Sequence, residues 1–150
     1  MMTEAGSGFV DGVHVFPMRV YYEDTDAAGI VYYANYLKFA ERARTEMLRA
    51  LGTDQSRLAA EQGIAFAVRR CTADYLKPAR LDDRLEVHTR VTKVGGASLS
   101  ADQAVKGEAG QLVRLEVRLA CTNTAGRPAR LPKALRASFQ DLCEKNQRGR

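Results

Sequence analysis

Three carboxylates, Glu23, Asp24 and Asp26, crowd the run Tyr21-Tyr22-Glu23-Asp24-Thr25-Asp26-Ala27-Ala28-Gly29. The run reads as a polar turn between a strand and a helix. A helix N-terminus presents unpaired N–H groups and a positive dipole end. Donors of that kind polarise a carbonyl and stabilise the oxyanion that forms when it is attacked. A carboxylate on the other side of the same carbonyl can attack it or activate a water molecule. Gly29 permits a sharp turn or the close approach of a ligand to the backbone. The segment therefore holds both parts that acyl transfer needs. Spacing alone does not assign the roles, because Asp also favours turns and helix caps for structural reasons. Carboxylate clusters suit magnesium or calcium, but the run lacks the spacing of an EF-hand loop, and no metal is expected.

These residues need a scaffold, and the flanking sequence predicts one. His14 to Tyr22 reads as a strand, with Pro17 marking an edge position. Tyr36, Phe39, Ala40, Ala43, Met47 and Leu51 recur at helical steps, with Asn35 as the expected N-cap and Gly52 as the stop. Gln55 to Gln62 reads as a short second helix closed by Gly63. Strands are then expected over 64–75, 83–94, 97–106 and 111–122, with Gly95-Gly96 as a hairpin turn. Lys133 to Cys143 reads as a terminal helix with Leu135, Phe139 and Leu142 on one side. A long helix with one apolar stripe, followed by antiparallel strands, predicts an α+β domain of about five strands wrapped around that helix.

The chain has 150 residues, the length of one domain, and 45% hydrophobic with 27% charged residues is the balance of a globular protein. One domain over 1–150 is expected, with a flexible Gly-rich start (1–12) and a basic tail (144–150). The start lacks the basic and apolar regions of a signal peptide, and no stretch is apolar enough to span a membrane, which points to the cytoplasm. Cys71, Cys121 and Cys143 are odd in number and lack metal-ligand spacing. Between Arg127 and Arg150 seven basic residues face two acids, a surplus equal to the whole net charge of +5. Such a surplus suits phosphates, an anionic surface or nucleic acid. The tail has few aromatic residues for stacking on bases and no nucleic-acid motif, so nucleic acid is not an expected partner.

The run Tyr22-x-Asp24-Thr25-Asp26-Ala27-x-Gly29-x-Val31-Tyr32, with Asn35-Tyr36 and Glu41-Arg42-Ala43-Arg44-Thr45-Glu46, resembles the YbgC-type acyl-CoA thioesterases. These belong to the hotdog-fold group that includes 4-hydroxybenzoyl-CoA thioesterase. Asp74-Tyr75, Pro78-Ala79-Arg80-Leu81-Asp82-Asp83, Ser98-Leu99 and Leu131-Pro132-Lys133 extend the resemblance over roughly residues 14 to 140. It implies a hotdog fold and hydrolysis of an acyl-CoA to free acid and coenzyme A. It implies Asp26 as the catalytic carboxylate, acting as nucleophile or general base, and the Tyr33 backbone N–H as the group that polarises the thioester carbonyl. Many YbgC-type proteins carry His where this chain has Tyr33, which leaves a backbone role intact. Gly29 matches the motif glycine and is expected to border the substrate. Coenzyme A is part of the substrate, so no separate cofactor is implied. Its phosphates need cations, and among Arg69, Arg70, Lys77, Arg80, Arg130 and Lys133 the expectation falls on Arg130 and Lys133. The resemblance also implies a homodimer or homotetramer whose sites form between copies. Acyl carrier protein or inner-membrane-associated proteins are further partners it raises. The competing reading is a non-catalytic scaffold, linked to the cell envelope, that binds acyl-CoA or acyl carrier protein.

Overall fold

The structure, a computed structural model, describes residues 6–148, the side chain of Arg148 excepted. Residues 1–5 of the expected flexible start, and Arg150 with the Arg148 side chain of the basic tail, lie outside the described residues. The chain order is β1 (Gly8–Val10), β2 (Val13–Arg19), a 3-10 turn (Tyr22–Asp24), α1 (Asn35–Ala50), α2 (Gln55–Gln62), β3 (Ile64–Tyr75), β4 (Arg84–Val94), β5 (Ser98–Gly107), β6 (Gly110–Asn123) and α3 (Lys133–Arg148). The strands form one sheet in the order β1-β2-β4-β5-β6-β3, every neighbour antiparallel.

Six strands stand where about five were expected. The extra one, β1, comes from the Gly-rich start. Its cause is the dipeptide Asp11-Gly12, whose φ angles of 51° and 81° make a two-residue hairpin turn joining Val10 to Val13. A Cβ on Gly12 would sit 2.9 Å from the Cβ of Lys145 on α3, so the turn also lets α3 approach.

α1 buries Tyr36, Phe39, Ala40, Ala43, Met47 and Leu48; Leu48 takes the place expected for Leu51, which caps the helix end and is half-buried. It packs over β2, β4 and β5. In β4, Leu85, Val87, Thr89 and Val91 turn inward toward this core. Fully burying one side chain such as Phe39 is worth about 2–3 kcal/mol, so the stripe anchors the helix. Asp54 caps α2 by accepting from the Arg57 N–H at 2.8 Å, and Gly63 closes it at φ 64°. α3 adds Leu135, Phe139 and Leu142 to the core and runs five residues beyond the expected end. Among the described residues no helix is long and apolar enough to cross a membrane.

Candidate active site

The acidic run sits where three segments meet. Val20 and the loop at Asp82-Asp83 exchange backbone bonds, Val20 N–H to Asp83 O (2.9 Å) and Asp82 N–H to Val20 O (3.0 Å). The Val31 N–H reaches Ala79 O at 2.8 Å, and Ile30 pairs with Arg80. The carboxylates themselves ride on a miniature hairpin. Thr25 bridges Val31, the Asp26 N–H donates to Ile30 O (2.9 Å), and the Gly29 N–H returns to Asp26 O (3.0 Å). Gly29 has φ 78°, a left-handed conformation that suits glycine.

The three acids are sorted by their surroundings. Asp24 is buried, 8% exposed, and its Oδ2 accepts from the Tyr21 N–H at 2.8 Å. Its main-chain carbonyl accepts from the Tyr32 N–H (3.0 Å) and from Asn35 Nδ2 (2.9 Å). Glu23 is exposed. Asp26 is also exposed, with Oδ1 held by the Ala28 N–H at 2.9 Å. Its Oδ2 has no protein partner among the described residues. Asp24 therefore builds the turn, while Asp26 presents an oriented carboxylate with one oxygen open to a ligand or water.

The helix start differs from the expectation in one respect. Ala34, not Asn35, is the N-cap residue, and no side chain caps it. Asn35 is the first helical residue, and its amide is spent on Asp24. The first turn begins with Asn35 N–H to Tyr32 O at 2.8 Å. The Tyr33 and Ala34 N–H groups donate to no protein acceptor among the described residues. They are the orphan donors that a helix N-terminus leaves.

Aromatic rings frame this end of the helix. Tyr33, 60% exposed, meets Tyr75 of β3 edge-on with centroids 5.8 Å apart. Tyr75 also contacts Tyr36 at 5.9 Å. Tyr36 receives the Ala79 N–H on its hydroxyl at 2.9 Å, and burial raises its pKa above the ordinary tyrosine value. Tyr75 is raised likewise by burial, with Cys71 and Tyr33 adding to it.

The basic residues are divided. Arg80, not the favoured candidate, lies beside the Asp26 turn through its pairing with Ile30. Arg130 and Lys133 stand at the far end of the sheet, where Leu131 N–H binds Gly96 O and the Arg136 side chain reaches Gly95 O. Within one chain the length of β4 separates them from Asp26. The signal for Arg80 was in the sequence, inside the Pro78-to-Asp83 motif, but its pairing with Ile30 is a long-range contact that spacing does not reveal.

Comparisons with known proteins identify the family. The family model of the thioesterase superfamily matches residues 28–114. A Haemophilus influenzae protein named acyl-CoA thioesterase YbgC is 44% identical over 134 residues, 89% of this chain and 98% of that protein. The Escherichia coli O157:H7 acyl-CoA thioester hydrolase YbgC is 48% identical over 83% of this chain and 94% of its own length. A crystal structure of a Bartonella henselae protein, described as a probable thioesterase, superposes with a TM-score of 0.76 at 38% identity. That match covers 80% of this chain and 99% of the other.

Proposed function

The chain belongs to the thioesterase superfamily, as a YbgC-type acyl-CoA thioesterase of hotdog fold, and on that premise we propose that Asp26 and the Tyr33 N–H carry the hydrolysis between them. The observation behind this is their placement on one short segment: an exposed carboxylate with a free Oδ2, and unpaired amides at the start of α1. The thioester carbonyl oxygen accepts from the Tyr33 N–H, which draws charge off the carbonyl carbon. Asp26 Oδ2 then attacks that carbon, or takes a proton from a water molecule that attacks it. Coenzyme A leaves as the thiolate. In the first route a mixed anhydride forms, and water releases the acid and restores Asp26. Water is the only co-reactant in either route. A single turnover in ¹⁸O-labelled water distinguishes them, because only the anhydride route can place the label on Asp26. Free-thiol release from a panel of acyl-CoA substrates tests the activity itself.

The working unit in this reading is at least a dimer joined through β3. That strand is twelve residues long, lies at the sheet edge and is largely exposed. A long unpaired edge is a template for pairing with another chain. Tyr33, Leu37, Val68, Tyr75 and Leu76 add exposed apolar surface beside it. Antiparallel pairing of two β3 edges sets the Tyr75 end of one copy beside the Ile64 end of the other. Ile64 pairs with Asn123, where the segment that leads through Arg130 to Lys133 at the start of α3 begins. The partner's Arg130 and the partner's Lys133 are thereby the cations proposed to meet the coenzyme A phosphates, with Gly29 bordering the thioester. The cytoplasm is the proposed compartment, consistent with three free cysteines. The same basic surface suits an acidic acyl carrier protein as an alternative acyl donor.

A further inference from the structure

We propose that the acyl tail of the substrate lodges in a cavity between α1, β3 and α3, which makes long linear acyl thioesters the preferred substrates. This rests on the thioesterase reading above and adds the substrate class. The cavity holds about 200 Å³. Its floor is Met47, Leu48, Phe66, Leu99, Leu119 and Phe139, and Glu41 and Arg44 stand at its rim.

The cavity lies on the same line as the reacting groups. α1 and β3 run side by side in opposite directions. Tyr36 meets Tyr75 at the start of the helix, Arg44 lies near Cys71 at its middle, and Met47 and Leu48 face Phe66 and Val68 beyond. α1 packs mainly over β2, β4 and β5, so a trough remains between the helix and the β3 edge. Cys71 and Tyr75 beside it are exposed. One end of the trough is the Asp26 and Tyr33 site, and the other is the cavity.

Arg44 makes the middle of this trough passable to an alkyl chain. Its guanidinium is fastened to Gln103 Oε1 at 2.9 Å. Gln103 is buried, and its Nε2 donates to Ala40 O (3.0 Å) and Thr89 Oγ1 (2.9 Å). Burial lowers the Arg44 pKa, with Glu41 and Cys71 opposing. The charged head is thus held against the sheet, and the apolar stem forms trough wall. A second copy paired on β3 would roof the trough and exclude water from the tail.

Length follows from the helix. Arg44 is nine residues past Asn35, roughly 14 Å along the axis. A chain whose carbonyl sits at the Tyr33 amide needs roughly ten carbons to reach the rim, and at ~30 Å³ per water-sized group a further six or so fill the cavity. Chains near sixteen carbons therefore use the whole site, and butanoyl groups use none of the cavity.

The experiment is a kcat/KM series on butanoyl-, octanoyl-, dodecanoyl- and hexadecanoyl-CoA below their micelle concentrations. It uses the full chain, wild type and with Leu99→Phe or the half-exposed Val68→Phe. Wild-type kcat/KM should rise from twelve to sixteen carbons by about fourfold per methylene. Either variant should lower the ratio of hexadecanoyl to butanoyl kcat/KM at least tenfold. A wild-type profile that falls beyond octanoyl overturns the proposal, even if neither variant folds. So does an unchanged ratio in a folded variant. Asp26-dependent hydrolysis of butanoyl-CoA alone would overturn the tail site while leaving the thioesterase reading intact.

Discussion

Asn35 Nδ2 donates to the main-chain carbonyl of Asp24 at 2.9 Å, tying the first residue of α1 to the turn that carries Asp26. The same carbonyl accepts the Tyr32 N–H. Asn35 thus fixes where the orphan amides of Tyr33 and Ala34 stand relative to Asp26. Asn35→Ala removes that bond without uncapping the helix, since Ala34 is the cap residue. It should cost about 1 kcal/mol in denaturant unfolding and lower kcat by roughly tenfold while moving KM little. A kcat equal to wild type would show that the tie does not position the amide.

Asp24→Ala leaves the Tyr21 N–H without its acceptor in a part-buried site. The expected loss is about 1–3 kcal/mol, read from the denaturation midpoint, with activity falling in parallel at higher temperature. Asp24 and Asp26 should therefore separate, one in stability and the other in turnover. Equal stability of Asp24→Ala and wild type would contradict the assignment of Asp24 to the turn.

Gly29 has φ 78° but open space around its missing Cβ. Gly29→Ala should thus meet strain without a clash and cost about 1–2 kcal/mol. Gly29→Asn, which tolerates this conformation better, should recover part of the loss in a thermal melt. An Asn variant no more stable than the Ala variant would mean that something other than backbone strain is at work.

The element order, the apolar stripe of α1 and the inward face of β4 were all legible, because each is a local periodicity. The Asp11-Gly12 hairpin lies inside the start that was expected to be flexible; its signal, an Asp-Gly pair between apolar residues, is too short to stand out in a Gly-rich stretch. Asn35 looked like a cap because Asn ahead of an apolar run commonly is one. Its true partner is the carbonyl of a residue eleven positions earlier. The separation of Arg130 and Lys133 from Asp26 was not legible, since it depends on which end of the sheet each loop reaches. Asp26 was singled out over Glu23 and Asp24 by the family motif. What distinguishes the three physically, burial of Asp24 and the free oxygen of Asp26, is a property of the folded turn.

If Arg130 and Lys133 serve the partner's site, mixed dimers reveal it. Protomers with Asp26→Asn and protomers with Arg130→Ala and Lys133→Ala are each expected to be impaired, the first in kcat and the second with KM raised several-fold. A mixed dimer should regain one site of near wild-type KM, because one copy supplies the carboxylate and the other the cations. Mixed dimers that keep the raised KM would place these cations in cis or outside the site.

His14 is fully buried, with Ser7 Oγ 2.9 Å from Nε2, the Phe9 ring edge-on, and no partner on Nδ1 among the described residues. Burial lowers its pKa, and Glu46 on α1 pulls it partly back. The unfolded chain then takes up the proton more readily than the folded one. Stability from this group is complete above about pH 6.5 and is lost as pH falls through the lowered folded value. The melting temperature should drop between pH 7 and pH 5, and His14→Leu should flatten that drop. An identical pH slope in His14→Leu would exclude this residue as the source.

The central claim is that the Asp26 carboxylate performs the chemistry, and turnover of Asp26→Asn tests it most directly. Asn keeps the size of the side chain and the oxygen that accepts the Ala28 N–H, but it can neither attack as a carboxylate nor take a proton. With free-thiol release as the readout and acyl-CoA binding measured in parallel, kcat should fall ~10³-fold or more, with binding and melting temperature close to wild type. A folded Asp26→Asn protein that hydrolyses acyl-CoA at near the wild-type rate would contradict the account.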